Sequence, residues 1–269
     1  MLSLVRTELA KQFRRPRTWV ALGFCALIPI IITIALKSSP PTGEDHGENP
    51  FFLLSLDSGL LVPSAALRVM SRLFLIVIVA LFAGDAIAGE ASWGNLRAIL
   101  VRPVTRGRLL AAKFVSAAVL STLAVVVVAA AGLIAGGLAF GFHPLDVLGF
   151  HRSEAQLLLA LGGGVGYISW SLLGIVAFGF MISTMTDSPA GATLAAIGLY
   201  LTSQILDAIS ALGVVRDYLP THKLDAWDGL VFGRPVGSEI WQGVLLQVPY
   251  LVIGLGIAWW WFRRKDILS

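Results

Sequence analysis

Six long apolar stretches run through this chain of 269 residues, and polar or basic segments separate them. Each stretch approaches or exceeds the roughly 18–20 apolar residues that an α-helix needs to cross a bilayer. Charged residues make up only 13% of the chain, whereas about a quarter is usual in soluble domains. The sequence therefore predicts an all-α, polytopic membrane protein with one transmembrane domain over residues 1–269.

The apolar runs set the bounds of the six predicted transmembrane helices. These helices cover residues 18–36, 66–84, 114–140, 157–185, 189–209 and 243–262. The third and fourth runs are longer than a straight crossing, so we expect them to tilt or to extend beyond the bilayer. Asp187 and Ser188 precede Pro189, which is typical of a capped helix start and predicts a tight turn before the fifth span.

Basic residues are unequally distributed over the predicted connections. With the N-terminus inside, thirteen Lys and Arg side chains lie on the cytosolic side and five lie on the outer side. This bias is typical of membrane proteins with a positive inner side, so we expect both termini in the cytosol. The net charge of +4 then reflects topology. The chain has no concentrated basic face with base-stacking residues, which argues against a nucleic-acid partner.

Residues 1–17 are basic and contain an apolar repeat. Val5, Leu9 and Phe13 recur every four residues, which predicts an amphipathic helix at the cytosolic membrane interface. Its cations would contact anionic membrane lipids, and its apolar stripe would enter the acyl boundary. A disordered basic tail is the alternative.

The last outer segment, residues 211–240, contains a second amphipathic pattern. Leu224, Trp227 and either Leu230 or Val231 share one helical face, which predicts a short interfacial helix. Such a helix could cap the helix bundle, or it could act as an outer gate. The periodicity is compatible with both functions.

Ionisable side chains also fall within the predicted spans, where an unpaired charge is costly. Arg68 and Arg72 lie one helical turn apart on one face of the second span. They either extend to lipid phosphates of the outer leaflet or face a central substrate path. Asp207, with Gln204 one turn before it, is the predicted counter-ion of the two arginines, and the four residues together are the candidates for a substrate path.

Several motifs of catalysis and nucleotide binding are absent from the sequence. It contains no GxxxxGK[ST] phosphate loop, no HExxH pair and no GxSxG elbow. The four histidines lack the short spacing of a metal site, and Cys25 has no second cysteine to pair with. The glycine run 162–166 lies inside an apolar span, which indicates close helix packing. The sequence therefore predicts that this chain is not an enzyme and holds no metal or cofactor.

The segment 85–113 is polar and basic, so we expect it to lie in water between the second and third spans. With the preceding glycine it reads Gly84-Asp85-x-Ile87-Ala88-Gly89-Glu90, then Gly94-Asn95-Leu96-Arg97, then Leu100-x-Arg102-Pro103-Val104-x-Arg106, and it ends at Lys113. This pattern resembles the first cytosolic loop of ABC-2-type permeases, in which E-x-x-x-G-T-L-R precedes an R-P-V-S-R turn. Asn95 and Thr105 replace the threonine and serine that are usual in that family.

The resemblance implies the membrane subunit of a bacterial ATP-driven exporter, with the ABC-2 transmembrane fold, in the cytoplasmic membrane. Two permease copies, identical or different, would pair and bind two copies of a separate ATPase that holds ATP and Mg²⁺. The resemblance places contacts to the ATPase at Glu90, Trp93, Asn95, Leu96, Arg97, Asp187 and Ser188. Trp93 and Leu96 are three residues apart and would form one apolar anchor face. The cargo would be a hydrophobic or amphiphilic drug, peptide or lipid.

Three other interpretations stay open. The segment 85–113 could lie on the lipid headgroups, with its arginines bound to phosphate. The chain could be a membrane enzyme that acts on lipids, which would require acids or histidines arranged as a catalytic or metal site. It could also be an immunity or scaffold protein that has the same fold and transports nothing.

The predicted orientation can be tested by cysteine labelling in intact cells, in a chain whose Cys25 is replaced by alanine. A membrane-impermeant maleimide should modify Ser39→Cys, because Ser39 is expected outside. It should modify Gly107→Cys only after the cells are permeabilised. Labelling of Gly107→Cys but not Ser39→Cys in intact cells would reverse the orientation.

Overall fold

The computed structural model describes residues 1–40, 51–92, 105–147, 150–234 and 237–264, and this part of the chain is mostly helical. Its helices are α1 (Leu2–Phe13), α2 (Pro16–Ser38), α3 (Phe51–Asp57), α4 (Val62–Arg72), α5 (Phe74–Ser92), α6 (Arg106–Phe140), α7 (Glu154–Ser171), α8 (Leu173–Met185), α9 (Pro189–Ala208), α10 (Asp228–Phe232) and α11 (Gly237–Arg264). Short 3₁₀ helices cover Gly59–Leu61 and Ser210–Tyr218, and a hairpin joins β1 (Leu145–Val147) to β2 (Phe150–Arg152).

Within the described ranges, six helical segments are long and apolar enough to cross a membrane, namely α2, α5, α6, the pair α7–α8, α9 and α11. They confirm the predicted number of spans, and the chain is a multi-pass membrane protein. We call the end of the bundle at which α1 lies the N-terminal face, and the opposite end the distal face. Helix α5 lies at the centre, since 78% of its apolar window is buried, the largest share among these spans.

The second span differs from its predicted bounds, residues 66–84. The chain breaks at Leu73, which has φ −138° and ψ −61°, so that α4 and α5 are separate helices. Helix α4 is amphipathic and buries its small and apolar residues, while Arg68 and Arg72 face away from that core. The span itself continues to Ser92 and includes residues that we had placed in a water-exposed loop.

The remaining bounds need smaller corrections. Helix α6 begins at Arg106 instead of residue 114, and its 35 residues are about 52 Å long, which exceeds a hydrocarbon core of about 30 Å. The fourth span begins at Glu154, where Ser153 and Gln156 form a capping box, and it is divided at Leu172. The fifth span ends one residue early, and α11 extends beyond its predicted ends on both sides.

The predicted all-α fold class is confirmed, since the described residues are mostly helical and include one short β-hairpin in addition. The hairpin β1–β2 lies between the third and fourth spans and pairs Leu145 with Arg152. In the predicted outer segment, residues 211–240, the amphipathic pattern is confirmed because Leu224, Trp227 and Val231 are all buried. The regular α-helix within it is short, however, and most of the segment is 3₁₀ helix and turns.

The terminal helices carry aromatic side chains at the N-terminal face. Trp259, Trp260 and Trp261 are each exposed by more than a third. Arg263 lies over the ring of Trp259 at 4.5 Å, and Arg264 lies over Trp260 at 4.1 Å. Tryptophan collects where the membrane meets water, so we expect the membrane boundary at the N-terminal face to lie at the level of these three residues of α11.

Close contact between α4 and α6 depends on glycines. A Cβ on Gly132 would lie 2.7 Å from Cα of Pro63, and a Cβ on Gly136 would collide with the carbonyl oxygen of Gly59. The predicted packing function of residues 162–166 holds in part. Gly163 and Gly164 lie against Leu230 and Trp227, whereas a Cβ on Gly162 would meet no described atom within 4 Å.

The substitution Gly136→Ala should destabilise the bundle by about 1–3 kcal/mol, because its methyl group would collide with rigid backbone. Gly162→Ala is the matched control, since the same methyl group would point into open space. It should leave stability unchanged or raise it by up to about 1 kcal/mol through helix propensity. Thermal unfolding of the purified protein in detergent measures both, and equal stability of the two variants would contradict the packing argument.

Candidate functional site

Two groups of charged residues lie at opposite ends of the bundle. The first, which we call the N-terminal ion cluster, joins α1, the start of α2, α5 and α6. Its members are Glu8, Lys11, Arg15, Arg17, Asp85, Glu90 and Lys113. Burying a charge is unfavourable unless the charge is paired and hydrogen-bonded, so each carboxylate requires cations from other helices.

Asp85 lies in α5 and is only 6% exposed. Its Oδ2 atom is 2.6 Å from Nη1 of Arg15, and Arg17 also pairs with the carboxylate. Room for the carboxylate comes from Gly89, because a Cβ at that position would lie 2.7 Å from Cγ of Asp85. The segment that connects α1 to α2 is therefore fastened to the central span.

Glu90 lies more than one helical turn after Asp85 and is equally enclosed. Its Oε2 atom is 2.6 Å from Nζ of Lys113, both side chains are 4% exposed, and Lys11 pairs with the other carboxylate oxygen. Nζ of Lys113 also lies 3.1 Å from Oε2 of Glu8 and 3.1 Å from the carbonyl oxygen of Ala86. The ammonium group therefore donates two hydrogen bonds, to Glu8 and Ala86, and forms an ion pair with Glu90.

This arrangement corrects the prediction for Glu90. We had placed it in a water-exposed loop as a charge that contacts a partner ATPase, but its carboxylate is buried and binds two lysines of the same chain. Lys113 is distant in sequence, so the pairing cannot be inferred from local spacing. The other loop positions for which we predicted ATPase contacts lie outside the described residues; they are Trp93, Asn95, Leu96 and Arg97.

The predicted turn between the fourth and fifth spans is present at the same face. Thr186 ends α8, and the Ser188 side chain accepts a 3.1 Å hydrogen bond from the Gly191 N–H at the start of α9. Asp187 and Ser188 are exposed there. Just before the turn, Oγ of Ser183 accepts hydrogen bonds from two backbone N–H groups of α5, at 3.1 and 2.9 Å. The turn is thus linked to the same helix that carries Asp85 and Glu90.

A second group of polar residues surrounds a cavity of about 270 Å³ at the distal face, which we call the distal pocket. The polar residues that line it are Arg72, Gln204, Asp207, Arg216, Thr221 and Asp225. Three of the four residues predicted for a substrate path are therefore brought together. The fourth, Arg68, is not part of the lining and forms an ion pair with Asp228.

The counter-ions of the two arginines differ from the prediction. Arg72 pairs with Asp225 at 2.7 Å, and its backbone carbonyl accepts a 2.8 Å hydrogen bond from Gln204. Asp207, which we had predicted as their counter-ion, lies 2.6 Å from Nδ1 of His222 and 3.5 Å from Nε of Arg216. The prediction was wrong because the carboxylates of residues 219–234 fold back onto α4.

His222 is a member of this group that the sequence did not indicate. Its Nδ1 atom faces Asp207, and its Nε2 atom lies 3.2 Å from Asp217. The imidazole of His222 thus bridges Asp207 of α9 and Asp217 of the 3₁₀ helix Ser210–Tyr218. Nothing in its local sequence distinguishes His222 from the other loop histidines.

Residues 219–234 close the distal face through contacts with two spans, α7 and α11, and with the short helix α3. The hydroxyl of Tyr167 donates to the carbonyl of Lys223 at 2.5 Å, and Gln247 donates to the carbonyl of Pro220 at 2.7 Å. The ring of Trp227 is fully buried and stacks on Phe51 with 5.7 Å between ring centroids. In this structure the segment therefore forms a cap over the bundle.

Residues 50–268 match the family described as "Protein of unknown function (DUF2705)". The chain belongs to the DUF2705 family. Along its whole length it is also similar to the "Uncharacterized protein YhcI" of Bacillus subtilis (strain 168), with 21% identity over 318 aligned residues and full coverage of both chains. The DUF2705 match includes both carboxylates of α5 and Lys113, whereas Lys11, Arg15 and Arg17 precede it.

Replacing Lys113 by methionine should cost about 3–5 kcal/mol of stability, because Glu90 would keep a buried charge with one cation fewer. Arg14→Met is the matched control, since Arg14 follows the end of α1 and its side chain is exposed. This substitution should change stability by less than about 0.5 kcal/mol. Unfolding of the purified protein by SDS measures both variants.

A double-mutant cycle isolates the pair itself. Glu90→Gln combined with Lys113→Met should cost less than the sum of the two single changes, because the second change removes a charge that the first left unpaired. Strict additivity would show that the two residues do not interact.

Proposed function

We propose that this chain is the membrane subunit of an ATP-driven exporter, with the ABC-2 transmembrane fold and a cytosolic N-terminal face. The observation that carries the proposal is the N-terminal ion cluster, which lies at the base of residues 93–104. That segment contains the central part of the permease-like motif and connects α5 with α6. A separate ATPase would supply ATP hydrolysis, since the sequence has no phosphate loop.

A coupling segment must transmit displacement to the helices that it joins. Here the helices on both sides of residues 93–104 are held together by Glu90 and Lys113, and α1 is held to both by Lys11 and Glu8. Because these charges are buried, separating them is costly, so the three helices would move as one unit. Breaking the cluster during transport is less favourable than moving it.

The central position of α5 carries such movement into the bundle. This helix packs against α4, α6, α8 and α9, and it is joined to the turn at Asp187 through Ser183. Residues 93–104 and the turn would provide two contacts to the ATPase on the same face. Both contacts then act on one helix.

The distal face would be the exit side of the transport path. The cap formed by residues 219–234 lines part of the distal pocket, and the rest of its charged lining comes from α4, α9 and the 3₁₀ helix Ser210–Tyr218. Export would require the cap to separate from α4, which would break the ion pairs of Arg68 and Arg72 with its two aspartates. A hydrophobic or amphiphilic cargo suits the otherwise apolar bundle.

The substitution Trp93→Ala tests the proposed coupling. Removing an anchor side chain of this type costs on the order of 2 kcal/mol or more, which is roughly a thirtyfold loss of affinity for the ATPase. The ATPase is first identified by mass spectrometry as the partner with a phosphate loop that co-purifies with the tagged chain. Its affinity for the wild-type and variant chains is then measured with purified components.

The control for this test is Leu199→Ala, because Leu199 is exposed on the membrane-facing side of α9 and should leave the affinity unchanged. Glu90 is unsuitable for the test, since its replacement would disturb the ion cluster and the fold together. If Trp93→Ala binds the ATPase as tightly as the control, or if no ATPase co-purifies with the wild-type chain, the proposal is wrong.

A further inference from the structure

A groove runs along the membrane-facing surface between α2 and α6, towards the distal face. Its volume is about 580 Å³, which falls within the roughly 300–1,000 Å³ of ligand pockets. Alanines at positions 26, 131 and 135 form part of its lining, and Ile30 and Leu138 project beside them. We call it the α2–α6 groove.

The walls of the α2–α6 groove are apolar except at one end. The hydroxyl of Thr33 donates a 2.8 Å hydrogen bond to the carbonyl of Pro29 within α2, so it is already satisfied. Lys37 lies at the end of α2 and lines the groove with an exposed side chain. Among the described residues, none of the ion pairs formed involves Lys37.

The dimensions of the groove correspond to one leaflet of a bilayer. From Ala26 to Lys37 the helix rises about 16 Å, at about 1.5 Å per residue. Half of a hydrocarbon core of about 30 Å is about 15 Å. An acyl chain that enters the groove beside Ala26 would therefore place its headgroup at the level of Lys37.

We propose that the α2–α6 groove is a binding site for an anionic phospholipid, whose acyl chain lies along the alanines and whose phosphate group contacts Lys37. Small side chains on both helices leave the space that the lipid acyl chain fills. Lys37, the cation among the described residues that line the groove, supplies the charge that an anionic lipid requires. This site is separate from the proposed coupling segment and from the distal pocket, and it does not depend on transport.

The test uses the full chain reconstituted in vesicles of phosphatidylcholine with a minor fraction of phosphatidylglycerol. One of the two lipids carries a photoreactive diazirine near the middle of one acyl chain. After illumination, mass spectrometry maps the cross-linked residues. The phosphatidylglycerol probe should react with residues 26–37 of α2 and 131–139 of α6 more than with the exposed faces of α9 and α11. It should also react with these two stretches more than the phosphatidylcholine probe does.

Two variants separate the contributions of the acyl chain and the headgroup. Ala135→Phe should fill the groove and abolish its excess cross-linking, while Leu199→Phe, on an exposed face without a groove, should not. Lys37→Glu should lower the preference for phosphatidylglycerol over phosphatidylcholine by roughly fivefold, the equivalent of about 1 kcal/mol per basic residue near an anionic surface. Arg234→Glu is the charge-matched control and should leave the preference unchanged.

Three results would overturn the proposal. Equal cross-linking of the groove and of the exposed faces would show only the general lipid layer around the protein. An unchanged preference in Lys37→Glu would show that the phosphate group is bound elsewhere. Absence of lipid cross-links in the groove, together with cross-links between two chains there, would show that a second copy of the protein covers it.

Discussion

Two carboxylates within the central membrane helix impose a constraint on how the rest of the N-terminal face can be built. Burying a charge away from water is unfavourable unless the charge is paired and hydrogen-bonded. Asp85 and Glu90 each lie in α5 and are almost fully enclosed. Their charges are compatible with that position only because cations reach them from α1, α2 and α6. The placement of α1 against the bundle follows from this requirement.

At the distal face the helix of the bundle carries the cations, and a segment outside the spans supplies the carboxylates. Arg68 and Arg72 belong to α4, and two aspartates of residues 219–234 neutralise them. A segment that hydropathy would leave in solvent is thereby held on the bundle, and the burial of Trp227 adds an apolar contact. Charge pairing thus determines which non-spanning segment closes each end of the bundle.

The spans could be predicted from the sequence because burial in lipid needs only a sufficient length of apolar residues. The end of α5 could not be predicted in this way, since a hydropathy pattern treats Asp85 and Glu90 as the start of a loop. Their cations lie elsewhere in the chain, and only the folded structure brings Lys11 and Lys113 together. The predicted counter-ion of Arg72 was wrong for the same reason. The sequence does not show that residues 219–234 lie against α4, so it cannot distinguish Asp225 from Asp207 as the partner. The turn at Ser188 was predicted correctly, since its capping contacts are local.

The composition of the N-terminal ion cluster has a consequence for biogenesis. During synthesis the cations of α1 and of the start of α2 emerge before the carboxylates of α5, while Lys113 emerges after them. Glu90 therefore reaches its full set of partners only after α6 has been made. Until then, the carboxylates of α5 can pair only with cations that precede them in the chain.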